Sequence, residues 1–182
     1  MARVLNTSNL RSTYFGGGRI YSVVYNEQLE NGFIGVVGKL KDGETEIREF
    51  SKIENIENPA ELVLISLPEV MYDERPSMRK LENFVIPAGT AARGYGLSVG
   101  DEFEVSIDAI SNLDATITND IGKVVTLKNN SFEFEKKDSV TNEKFACEIL
   151  GFSNMNRPLQ VTKDKLPVTK MARLKIKKYE NQ

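Results

Sequence analysis

Polar and apolar residues alternate along much of this chain with a period of two. The clearest case is Glu102-Phe-Glu-Val-Ser-Ile-Asp108, where Phe103, Val105 and Ile107 share one side and predict a strand with one buried face. Turn signals at Pro87-Ala-Gly89 and Gly100-Asp101 bracket the piece before it. Residues 19–25 and 32–40 read as two apolar strands, joined as a hairpin across Asn31-Gly32. Lys41-Asp-Gly43 then turns into a further strand over 45–50. Residues 61–68 form a continuous apolar run, the pattern of a strand buried on both faces. Residues 69–83 are polar and read as a linker loop with at most one helical turn.

Past that loop, strands are expected at 84–86, 103–107, 123–127, 132–134, 145–150, 159–161 and 173–177. Asn119-Asp-Ile-Gly122, Asn129-Asn130 and Asn156-Arg-Pro158 supply the joints. No helix beyond two turns is expected. The fold class is therefore mainly β, with small β-barrel or β-sandwich modules and an extended N-terminal arm. The division reads as an arm (1–18), a front β region (19–68), the linker loop (69–83), a β-barrel-like domain (84–178) and a short tail (179–182). Gly16, Gly17 and Gly18 read as a hinge for the arm, which is expected to order on a neighbouring subunit. Its apolar anchors would be Leu5, Leu10, Tyr14 and Phe15.

Composition narrows the chemistry. The 182 residues hold no histidine, so Ser-His-Asp and Cys-His nucleophile systems are excluded. One cysteine, Cys147, cannot build a zinc cage or an internal disulfide, and it is expected buried on a strand beside Phe145 and Ile149. Gly32, Gly35 and Gly38 do not match the dinucleotide fingerprint. No catalytic residue, cofactor or metal ligand is expected. Nor is a membrane partner, since no run of about 20 apolar residues occurs and the first residues lack the apolar block of a secretory signal.

Net charge is only −2, but it is unevenly spread. Residues 42–61 carry seven acids against Arg48 and Lys52, whereas 163–178 carry Lys163, Lys165, Lys170, Arg173, Lys175, Lys177 and Lys178 against Asp164. Complementary faces follow, within the molecule, between copies or on a partner. Lys170, Arg173, Lys175 and Lys177 are the candidate contact residues of the basic strand. Interleaved aromatics are nearly absent there, with Tyr179 alone, so nucleic acid is disfavoured as a partner.

The order of the Asn-Gly turn, the 61–66 run, Leu81-Glu-Asn-Phe-Val-Ile-Pro-Ala-Gly-Thr90, Val99-Gly-Asp101 and Phe145-Ala-Cys147 resembles small structural proteins of tailed bacteriophages. The Pro-Ala-Gly-Thr turn is similar to one in phage head-decoration proteins, β-rich modules that cement the assembled shell. The resemblance implies a non-enzymatic virion protein. Its implied partners are the major capsid protein or neighbouring virion subunits, contacted in many copies on a lattice. The implied location is the virion, and the bacterial cytoplasm during assembly. Two other readings compete: an OB-like nucleic-acid-binding or other adaptor β module, and an enzyme working with carboxylates alone.

Overall fold

The computed structural model describes residues 5–11, 19–57, 59–68, 84–140, 142–156 and 168–180. Twelve strands run in chain order: β1 (Leu5–Arg11), β2 (Ile20–Val24), β3 (Ile34–Leu40), β4 (Ile47–Ser51), β5 (Leu62–Ile65), β6 (Ala92–Gly96), β7 (Glu102–Ser106), β8 (Ile110–Ser111), β9 (Val124–Leu127), β10 (Phe134–Lys137), β11 (Phe145–Asn156) and β12 (Val168–Tyr179). Two 3-10 turns, Ile107–Ala109 and Ile117–Asp120, are the helical elements among the described residues. The protein is mainly β, as its alternating pattern demands.

Strands β2 to β6 close a five-stranded barrel in the cyclic order β2-β4-β3-β5-β6. The other seven form one sheet, β1-β7-β12-β11-β9-β10-β8. The closed barrel therefore lies at the front of the chain and takes its last strand from beyond residues 69–83, whereas the pattern puts the barrel at 84–178. The reason is a long-range ladder. Strand β6 pairs with both β5 and β2, which closes the cylinder and removes two sheet edges at once.

The predicted hairpin across Asn31-Gly32 does not form. Strand β2 pairs in parallel with β4 and antiparallel with β6, and has no ladder with β3. Gly32 does adopt the positive φ, 89°, that makes Asn-Gly a turn signal. The buried Asn31 side chain instead clamps the end of β5, donating to Leu67 O and accepting from Leu67 N, both at 2.9 Å. The hairpin at Lys41-Asp-Gly43 forms as expected, joining β3 to β4.

Two cores follow from strand alternation. Inside the barrel, Val23, Phe50, Val63, Ile65 and Ala92 converge, with Phe132 arriving from the β9–β10 connection. Gly35 makes room for Phe50: a Cβ there would lie 2.6 Å from Phe50 Cζ and 2.5 Å from Ser51 O. The opposite sides of β3 and β5 present Ile34, Leu62 and Leu64 to the seven-stranded sheet. They meet Phe103, Val105, Leu127, Phe134, Phe145, Leu174 and Ile176 in the larger core. All four residues of β5 are consequently buried, the both-faces burial that its unbroken apolar run predicts. Phe103 and Val105 face this core, while Ile107 leaves the strand for a 3-10 turn and packs at its margin. Cys147 is fully buried between Phe145 and Ile149, and burial pushes its thiol well above the ordinary range.

Hydrogen bonds stitch the two parts together. Tyr179 Oη on β12 accepts from Leu62 N on β5 at 2.8 Å, and Asn129 Oδ1 accepts from Ile56 N at 2.9 Å. Leu159, Val161 and the 69–83 loop lie outside the described residues.

Candidate interaction surfaces

The basic strand reads out cleanly on β12. Ala172, Leu174 and Ile176 point into the core, so the intervening Arg173, Lys175 and Lys177 point outward. Antiparallel pairing sets carboxylates beside them. Arg173 donates from Nη2 and Nε to Glu102 Oε2 at 2.7 and 3.1 Å, and Lys175 Nζ lies 3.4 Å from Glu102 Oε1. Lys177 Nζ is 2.6 Å from Glu148 Oε2 on β11. The Arg173 hydrogen bonds, against some burial and with help from Lys175, hold the Glu102 carboxyl below its usual range. Each such partly exposed cross-strand pair contributes about 0.2–1 kcal/mol. Glu104, directly opposite Arg173 on β7, is a third carboxylate on this face. Arg173, Lys175 and Lys177 thus stand against Glu102, Glu104 and Glu148, and the face is charge-balanced. Lys170, exposed, has the parity of Ala172 and belongs to the other side of the strand.

Among the described residues, Asp42, Glu49 and Glu61 of the acidic region pair elsewhere than on this strand. Asp42 and Glu49 lie 3.7 and 3.9 Å from Lys39. Glu61 accepts from Arg19 Nη1 at 2.7 Å and from Tyr21 Oη at 2.9 Å. Burial first, and the Glu61 carboxylate second, push the Tyr21 phenol upward.

Leu5 and Leu10 fall on β1, which is paired antiparallel with β7 of the same chain. The sequence had assigned this segment to a neighbour; here it completes the protein's own sheet. Tyr14 and Phe15 lie outside the described residues.

Two features escaped the sequence. One is a cleft of about 260 Å³ lined by Tyr25, Glu27, Gln28, Phe33, Lys52 and Phe132, among others. Phe132 stacks on Phe33 with ring centroids 4.7 Å apart and on Phe50 at 5.3 Å, and Tyr25 meets it edge-on at 5.4 Å. Lys52 Nζ stands 5.7 Å from the Phe132 ring centre. These rings are scattered over 107 positions, so only the closed barrel brings them together. The other is a lysine between two carboxylates: Lys136 Nζ lies 2.9 Å from Asp114 and 2.8 Å from Asp120. Asp120 is fully buried and also accepts from Asp114 N at 2.7 Å. Burial alone would raise the Asp120 carboxyl, but Lys136 and the Asp114 amide together bring it below its ordinary value. The cluster ties the 114–122 loop to β10, one cation held between two carboxylates.

Among the described residues no group of three or more His, Cys, Asp or Glu is placed to hold a metal ion. The described surface includes an edge strand, a face of paired charges on β12 and an aromatic-floored cleft. Comparison with protein families, with characterised proteins and with solved structures finds no match to this chain.

Proposed function

We propose that this protein is a non-enzymatic structural component of tailed-bacteriophage virions that binds the capsid, in the role of a head-decoration or cement protein. One observation carries the reading. The sheet order β1-β7-β12 sets the arm strand and the basic strand on either side of β7, about 10 Å apart. Arm edge and charged β12 face thus lie on one sheet, with Glu102 and Glu104 of β7 between them, although about 160 residues separate them in the chain. Lattice binding needs contact area and orientation more than chemistry, and this surface supplies both. The Pro-Ala-Gly-Thr turn that carries the family resemblance is solvent-exposed from Pro87 to Thr90, where a partner can reach it. Mass spectrometry of purified particles tests the proposal: it predicts peptides of this chain at a fixed ratio to the major capsid protein. Their absence from particles would refute it.

A second reading is favoured by the barrel itself. Four antiparallel pairs and one parallel pair, β2 with β4, give the cyclic order of an OB barrel entered at its third strand. The equivalent of the OB binding face would carry Ile20, Ser22, Arg93 and Tyr95. The adjoining 41–46 turn presents Asp42, Glu44 and Glu46, which repel a polyanion, and a shared topology does not fix function. A salt-dependent gel shift of single-stranded DNA would favour this reading over the capsid one.

A further inference from the structure

We propose that the outer edge of β7 is a strand-acceptor site, and that its occupant in an assembled array is β1 of a second copy, exchanged for the protein's own. The proposal rests on the many-copy part of the reading above, and its test needs no capsid.

The edge must be filled. Strand β7 runs through the larger core with Phe103 and Val105 buried, and on its outer side β1 alone pairs with it. Removing β1 leaves a row of backbone donors and acceptors open beside that core, which costs free energy and invites another strand. β1 is also the terminal strand of the sheet and pairs with β7 alone, so its departure opens no other ladder.

The cis pairing is imperfect. Leu5 opposes Val105 and Asn6 opposes Glu104, but the next pair is Arg11 with Glu102. Five steps on β1 are matched to two on β7. The first two pairs, continued without slippage, would set Thr7 against Phe103 and Ser8 against Glu102. A β1 that is not tied to Arg19 of the same chain can take that regular register and form the longer ladder.

The tether decides when exchange happens. Seven residues, including Gly16, Gly17 and Gly18, join β1 to Arg19. A short tether of this kind gives the cis strand an effective concentration on the order of millimolar. Micromolar protein in solution therefore keeps its own strand. Copies side by side on a lattice see each other at comparable local concentration, and there exchange competes and links neighbours without a new fold.

The test uses two single variants of the full chain, Leu5→Cys and Val105→Cys, whose positions are directly opposed. Mixed at about 1 mM, near the tether's effective concentration, and oxidised, they should give a disulfide-linked band at twice the 20.4 kDa chain mass. The same mixture at about 10 µM should give at least tenfold less. The Leu5→Cys/Val105→Cys double variant should close internally at low concentration, which reports that the strand pair forms and the variants fold. Failure of the mixture to cross-link at the high concentration while the double variant closes would overturn exchange. Failure of the double variant to close would overturn the β1–β7 pairing on which exchange depends. A dimer from Leu5→Cys alone would report arm-to-arm contact, and counts against the proposal too. Shell binding enters none of these readouts, so exchange and the capsid role stand or fall separately.

Discussion

Replacing Phe132 with alanine probes how the barrel and the sheet depend on each other. Phe132 belongs to the β9–β10 connection, yet its ring lies in the barrel core between Phe33 and Phe50 and is 6% exposed. A buried Phe→Ala change costs about 3–5 kcal/mol through lost transfer energy and the cavity left behind. Three aromatic neighbours within 5.4 Å leave little room for collapse, which puts the expected loss near 4 kcal/mol. For a chain of this length that corresponds to a fall in Tm of about 8–16 °C. Phe132→Leu keeps apolar volume and loses mainly the ring pairs, about 1–2 kcal/mol. Urea titrations followed by far- and near-ultraviolet circular dichroism give both numbers, and coincident curves would license two-state treatment. A loss below about 1 kcal/mol for Phe132→Ala would mean that this ring does not fill the barrel, and the account of how the two cores interlock would fail.

Gly35→Ala should cost about 1–3 kcal/mol, because its Cβ would drive into Phe50 and the Ser51 carbonyl; a neutral result by denaturant titration would show the barrel looser than described. Acid sensitivity should follow Asp120 and Glu102, whose carboxyls are both held below their ordinary values. Groups depressed in the folded state stabilise it fully above the unfolded pKa, about 4, and lose that contribution as pH falls through the lower folded value. Stability should thus be flat from pH 7 to about 5.5 and decline below about 4.5, and Asp120→Asn should be less stable at neutral pH yet lose less on acidification; an unchanged acid limb would remove Asp120 from the account. Cys147, buried and with a raised thiol pKa, should react with an aromatic disulfide reagent only as fast as the protein unfolds. Rapid labelling of the native protein at pH 8 would contradict its place in the core.

Local pattern carried the strands whose environment is itself local. The run at β5 and the alternation at β7 give their burial directly, because each residue's neighbours on its own strand report which faces are covered. Asn31-Gly32 misled because turn chemistry fixes a bend and not the partner beyond it; the buried Asn31 amide spends its hydrogen bonds on Leu67, 36 positions away. Phe132 and Phe134 alternate as one strand would, but Phe132 departs for the barrel and only Phe134 begins β10. The charges failed for a related reason. Arg173, Lys175 and Lys177 were legible as a basic face, but their carboxylates, Glu102 and Glu148, are set by strand register, which no stretch of β12 encodes. The candidate surface joins β1 to β12 through β7, and contacts that distant in sequence appear only once the sheet order is known.

The most direct measurement is co-sedimentation with empty shells of the major capsid protein, comparing the full chain with a variant lacking residues 1–15. The truncated protein should keep its barrel while losing the β1 strand and some stability of the seven-stranded sheet. Its half-saturation concentration should rise at least tenfold, the loss of about 1.4 kcal/mol or more of contact with the shell. Attachment of the full chain should also slow as salt screens the Arg173–Lys177 stripe. Shell occupancy indifferent both to the deletion and to salt, or no occupancy by the full chain at all, would contradict the claim that this surface is built to hold a capsid.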